Sequence, residues 1–193
     1  MKSDIILAGV GGQGILSIAT IIGYAALESK LNLKQSEVHG MSQRGGDVQS
    51  HLRISDKEIF SDLIAVGTAD LIISVEPMES LRYLPFLSPQ GWLLTNSTPY
   101  INTATYPEKE VLLAEIGKLP RHLLIDADTL AKEMGAPRAM NMVMLGAVTQ
   151  FIDLPYEKFQ EGIRFIFGRK GEDVVNSNLK ALDKGREIAQ KER

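Results

Sequence analysis

The chain reads as an α/β fold on a mixed sheet, with a helical C-terminal part. Three observations carry that expectation. A short apolar run, Asp4 to Val10 (DIILAGV), stops at Gly11-Gly12 and passes into apolar residues at helical spacing, the opening of a strand–turn–helix unit. A second run, Val48 to Ile54, alternates, with Val48, Ser50, Leu52 and Ile54 on one face and Gln49, His51 and Arg53 on the other. After Gly135 the pattern is helical to the end.

Taken in order, Asp4 to Val10 is continuous enough for a strand buried on both faces. Ile15, Ile18, Ala19, Ile22, Ala25 and Ala26 fall near 3.6 spacing and define the first helix. Gln35 to His39 is the expected hairpin partner of Val48 to Ile54, with Gly40 to Gly46 as the loop. The alternation predicts one buried and one solvated face, hence a strand that is antiparallel or near a sheet edge. Asp70 to Val75 is another buried strand. Glu76-Pro77 opens a short helix through Met78, Leu81 and Leu84, with proline where no N–H is missed. Gly91 to Thr95 and Leu123 to Ile125 are strands, and Asp126 and Asp128 stand where a helix N-cap belongs. The stretch from Ser97 to Pro120, with three prolines, is the least regular. Arg138 to Ile152 is apolar nearly all round, the mark of a buried helix. Pro155 to Phe167 is amphipathic, and Val175, Leu179, Leu182 and Ala189 form one stripe on a polar helix from Glu172 to Gln190. Gly168 to Gly171 reads as a hinge rather than a boundary, so residues 1–193 are expected to form one domain.

Composition narrows the function. With 44% apolar and 23% charged residues the chain has a globular profile, and its net charge of −3 gives no general attraction to nucleic acid or an anionic membrane. The absence of cysteine excludes disulfides, thiolate zinc sites, cysteine-held iron–sulfur clusters and a cysteine nucleophile in this chain. The N-terminal apolar run breaks too soon for a secretory leader or a membrane span, and the expected location is cytoplasmic.

Gly9, Gly11 and Gly14 satisfy G-x-G-x-x-G, with Gly12 and Gln13 between. Glycine permits a tight turn and close approach of a phosphate, and the following helix N-terminus offers free N–H groups. The same glycines would also let the first helix pack tightly on the sheet, and both readings stand at this point. A dinucleotide site needs an acidic residue about 20 positions on; Glu37 is the nearest, but it lies in an antiparallel hairpin rather than a second strand–helix unit. Ser42-Gln43-Arg44-Gly45-Gly46 is denser in donors than a hairpin turn needs. Arg44 supplies a planar fork for phosphate or carboxylate, and Asp47 can pair with it at the loop base. His39 and His51 can face each other across the hairpin, but without a third ligand they make a poor metal site. Asn141, in an apolar helix, either bonds internally or projects into a site. No G-x-S-x-G elbow and no G-x-x-x-x-G-K-[ST] loop occurs, and Ser177-x-x-Lys180 lacks its companions. A cofactor-like loop, an equipped second loop and no catalytic set suggest part of a larger enzyme.

Several stretches together resemble one family. ILAGVGGQG, EVHGMSQRGGDVQSHLRIS, VEPMESLRYLP, LLTN at Leu93 to Asn96, NMVMLGA and EDVVNSNLKALDKG are similar, in this order, to the gamma-type subunit of 2-oxoacid:ferredoxin oxidoreductases. The GMSQRGG and EPMESLR forms are most similar to the small subunit of the indolepyruvate enzymes. The resemblance implies a Rossmann-like three-layer sandwich. It implies a large partner subunit carrying thiamine pyrophosphate, magnesium and iron–sulfur clusters, ferredoxin reached through the complex, and no cofactor held by this chain alone. The reaction implied is CoA-dependent oxidative decarboxylation of an aryl 2-oxoacid, with coenzyme A at the interface between subunits. Carried onto this chain, Gly9, Gly11, Gly12, Gln13 and Gly14 form the first cofactor loop. Ser42, Gln43, Arg44, Gly45 and Gly46 form the second, turned toward the partner, with Arg44 in a supporting catalytic role. Asn96 and Asn141 join that set and, with Asn178, brace the loops. The chain departs from many relatives between Glu58 and Ala69, where a partner contact would fall. A face built for a partner would also permit a homodimer of the isolated chain. Two other classes compete: a stand-alone NAD-type binding module or reductase, from the glycine motif, and a scaffold protein, from the missing catalytic set.

Overall fold

The computed structural model describes residues 1–40 and 45–192. Six strands form one mixed sheet in the order β2-β3-β1-β4-β5-β6. They are β1 (Lys2–Val10), β2 (Asn32–His39), β3 (Asp47–Ser55), β4 (Ala69–Ser74), β5 (Leu87–Asn96) and β6 (His122–Ile125). β1, β4, β5 and β6 run parallel, and β3 is antiparallel to both β1 and β2. Alternation along β1 divides the core. Ile5 and Leu7 face one layer, while Ile6 and Ala8 face the other.

The larger layer holds α1 (Ile15–Glu28), α4 (Ala127–Glu133), α5 (Met140–Val148), α6 (Tyr156–Phe167) and α7 (Glu172–Glu192). The smaller holds α2 (Pro77–Arg82) and α3 (Lys109–Gly117). α1 buries Ile15, Ile18, Ala19, Ile21, Ile22, Ala25 and Ala26, which is the periodicity read from the sequence. Each fully buried isoleucine contributes about 1.5–3 kcal/mol by removal from water. α5 is buried at every position, as its all-round apolarity predicts. The α/β sandwich with a mixed sheet and helical C-terminal part is therefore observed.

Three expectations are corrected. The irregular stretch after Ser97 contains α3, whose inward residues are only Leu112 and Ile116, too few to show a period between Pro107 and Pro120. β3 itself is antiparallel and lies one strand in from the edge strand β2, as expected. The polar face of β3 is not solvated. His51 is buried, its Nδ1 accepts from the Ile64 N–H at 3.0 Å, and its ring meets Phe86 edge-on. Burial lowers its pKa and keeps the ring neutral. Nor do the two histidines face each other, because the register pairs His39 with Val48 and His51 with Ser36.

Asp126 caps α4 as expected. Its carboxylate accepts from the Thr129 N–H at 3.1 Å and the Thr129 hydroxyl at 2.9 Å. Burial pushes its carboxyl up, but the Thr129 bonds outweigh that and hold it below the usual range. Asp126→Ala should cost about 1 kcal/mol, read as a lowered midpoint in thermal denaturation.

Candidate functional site

The first loop joins the end of β1 to α1, and it is tied directly to the second. The Gly11 N–H donates to Gly46 O at 2.8 Å, and the Gly45 N–H donates to Gly11 O at 3.4 Å. The tandem of motifs in the sequence is thus one structural unit. Ser42, Gln43 and Arg44, including the expected Arg44–Asp47 pair, lie outside the described residues. Asp47 itself accepts from the Tyr83 hydroxyl at 3.3 Å. Burial first, then the Asp47 charge, pushes that phenol up to about 12.

The glycines divide by role. A side chain at Gly9 would strike Val75 and Ile15 at 2.4 and 2.7 Å, so Gly9 is a packing glycine. Gly14, at φ +82, begins α1, and a Cβ there would lie 2.3 Å from Asn141 Nδ2. Gly12, at φ +102, opens onto free space. Gln13 does not reach outward. Its Oε1 accepts from the Val10 N–H at 2.9 Å and its Nε2 donates to Val75 O at 3.3 Å, closing the turn.

The asparagines also separate. Asn141 Nδ2 donates to Gly14 O at 3.1 Å, which fixes the start of α1 against α5. Asn96 is 0% exposed and spends its amide on Val75 O, Asp128 and the Ala127 N–H. Those bonds make Asn96 a brace between β5 and α4. Asn178 bonds within its own helix, to Val174 O.

Two cavities touch the first turn of α1. One, about 410 Å³, is bounded by Gly11, Gly12, Gly14, Leu16, Glu37 and His39. The other, about 570 Å³, is bounded by Ser17, Arg138, Asn141, Phe167, Lys170 and Asn178, among others. The second carries two cations, and Lys170 lies over the Phe167 ring at 5.2 Å. Arg138 and Lys170 were missed in the sequence; their only signal is a basic residue beside a helix-breaking Pro137 or Gly171. Glu37 does share a cavity with the first loop, but β3 stands between β2 and β1. A ribose-binding acid belongs on the strand next to β1, and here it is displaced by one strand, roughly 5 Å further out. Among the described residues, no group of His, Asp and Glu could hold a metal ion, and no helix is long and apolar enough to cross a membrane.

Behind the loops stands VEPMESLRYLP. Glu76 caps α2, with Oε2 accepting from the Glu79 N–H at 2.8 Å. Its Oε1 accepts from the Tyr100 N–H at 3.2 Å and from the Tyr106 hydroxyl. Burial pushes Glu79 up, against the pairing with Arg82 at 2.8 Å.

The model of the pyruvate ferredoxin/flavodoxin oxidoreductase family matches residues 4–188. The chain belongs to that family. It is similar to the indolepyruvate oxidoreductase subunit IorB of Archaeoglobus fulgidus, at 38% identity over 96% of this chain and 94% of the relative. Among solved structures it resembles the gamma subunit of a keto/oxoacid ferredoxin oxidoreductase from Geobacter sulfurreducens, at 24% identity and TM-score 0.72, over 98% of this chain and 99% of that one. It also resembles 2-oxoglutarate:ferredoxin oxidoreductase from Magnetococcus marinus, a structure with 2-oxoglutarate, coenzyme A and succinyl-CoA bound (24% identity, TM-score 0.79). There it covers 98% of this chain but 31% of the longer one.

Proposed function

We propose that the chain is the small subunit of an indolepyruvate:ferredoxin oxidoreductase, acting as one domain that forms a wall of an active site shared with a large subunit. The observation that carries this reading is the 38% identity to the IorB subunit of Archaeoglobus fulgidus across nearly the full length of both chains. The partner supplies thiamine pyrophosphate, magnesium and iron–sulfur clusters, and passes electrons to ferredoxin. The complete lack of cysteine here agrees with clusters held elsewhere.

Coenzyme A fits the residues present. Arg138 and Lys170 are placed to take phosphate charge, and the cavity they line reaches Ser17 in the first turn of α1, at the positive end of that helix. Gly12 leaves open space for close approach. Coenzyme A, when bound, supplies the thiol that accepts the acyl group. This chain's residues bind and orient it; Gly45 and Gly46 face the partner, and Arg44 has a supporting role, its guanidinium being suited to carboxylate or phosphate. The location is cytoplasmic, and the chain forms a homodimer when its partner is absent. The displaced Glu37 tells against the NAD-type alternative.

Co-expression with the candidate large subunit tests this reading. Dye reduction should require both chains and coenzyme A, with indolepyruvate preferred over pyruvate and 2-oxoglutarate. Turnover by this chain alone, or a co-purified complex indifferent to all three acids, would overturn it.

A further inference from the structure

Residues 97–106 run across the loops after β5 and bury no side chain in the core. Ile101 is 75% exposed, and Tyr100 and Asn102 are exposed too. Yet a fully buried carboxylate holds this segment. Glu76 Oε1 takes both the Tyr100 N–H and the Tyr106 hydroxyl, one on each side of Asn102. Burying a carboxylate is unfavourable unless its oxygens are satisfied, so the segment is part of what makes Glu76 tolerable there. Held at both ends, the segment presents Asn102, whose Nδ2 donates to Gly45 O at 2.8 Å. The Gly45 residue, at φ +80, is then gripped twice: its N–H by Gly11 and its carbonyl by Asn102.

We propose that Asn102 is a positioning residue for Gly45, carried on a strap that Glu76 anchors through Tyr100 and Tyr106. The strap adds a second hold on Gly45, so that residue is fixed by Gly11 and by Asn102 as well as by the hairpin. Its consequence for coenzyme A rests on the function proposed above.

Asn102→Ala, Asn102→Asp and Asn102→Gln test it. Alanine and aspartate remove the donor, and glutamine keeps one. In the isolated chain, amide exchange at Gly45 should quicken about three- to tenfold in the first two variants, the range expected from losing one hydrogen bond. Exchange along β1 and the thermal midpoint should stay unchanged, and glutamine should restore part of the protection. In the assembled enzyme, the KM for coenzyme A should rise by a similar factor in the alanine and aspartate variants, with kcat within about twofold. Unchanged exchange at Gly45, or faster exchange across the whole sheet, would overturn the proposal. Faster exchange at Gly45 with an unmoved KM would support the strap and overturn the coenzyme A assignment of the loop.

Discussion

Gly185→Ala should leave almost no folded chain. A Cβ at Gly185 would lie 1.8 Å from Val143 O, and the reciprocal Gly146 is as tight, 2.0 Å from Leu182 O. The obstacles are helix backbones rather than flexible side-chain ends. Relief requires α5 and α7 to separate along their whole contact. Met142, Val143, Leu145 and Leu182, all fully buried, would lose packing together. Overpacking of a side chain alone costs about 1–3 kcal/mol, and opening a helix interface adds a cavity term of similar size. The sum, about 4 kcal/mol or more, approaches the whole stability of many domains. Urea unfolding followed by circular dichroism measures it. Gly117→Ala is the control: it ends α3 and has nothing within 4 Å of the new Cβ, so stability should stay or rise by up to about 1 kcal/mol. Equal midpoints for the two variants would mean that the helices do not cross at these glycines.

Those glycines also show what a sequence can and cannot reveal. Helix periodicity announced α1 and α7, because each buries a long stripe, and all-round apolarity announced α5; both are local properties. The interior glycines of α5 and α7 disfavour helix, and that is a signal of close approach, but not of the partner. The two glycine loops were legible as motifs. Their hydrogen bonding to each other was not, since Gly11 and Gly46 meet only after β3 folds beside β1. The resemblance put Gln13 in the first cofactor loop, but sequence shows residue type and not χ angles; the structure turns its amide inward to close the turn. Asn96 matched a family stretch and proved fully buried for the same reason. His51 and Arg53 read as a solvated face because nothing in an alternating strand records that an irregular segment, residues 56–68, will lie over it.

That segment is the subject of the second large effect. Arg53→Met should destabilise the chain by about 2–4 kcal/mol and reverse the sign of one pH dependence. Arg53 donates from Nε and Nη2 to the buried Asp4 carboxylate at 2.7 and 3.0 Å, and from Nη1 to the carbonyls of Ser61 and Leu63 at 3.0 and 3.1 Å. One guanidinium therefore satisfies a buried charge and pins the covering segment. Removing one partner of a buried pair strands the other, at about 3–5 kcal/mol; the partial exposure of Arg53 and the remaining Lys2 contact at 2.8 Å reduce that. Burial pushes the Asp4 carboxyl up, but hydrogen bonds from Arg53 and Lys2 outweigh it and hold the group below its ordinary 3.8. A lowered folded pKa means stability present above about pH 3.8 and lost as pH falls below it. Without Arg53 the burial contribution dominates, the folded pKa rises, and this site gains stability as pH falls from neutral toward 4. His51 and Glu79 titrate in the same acid range with opposite signs, so the Asp4 contribution is isolated in a cycle with Asp4→Asn and the double variant. Stability measured from pH 7 downward in the four proteins should show a coupling that is large at pH 7 and shrinks as pH falls below about 3.8. A coupling independent of pH would mean that Arg53 acts through Ser61 and Leu63 alone. The segment, with Phe60 84% exposed, would then be held by its carbonyls and not by the charge beneath it.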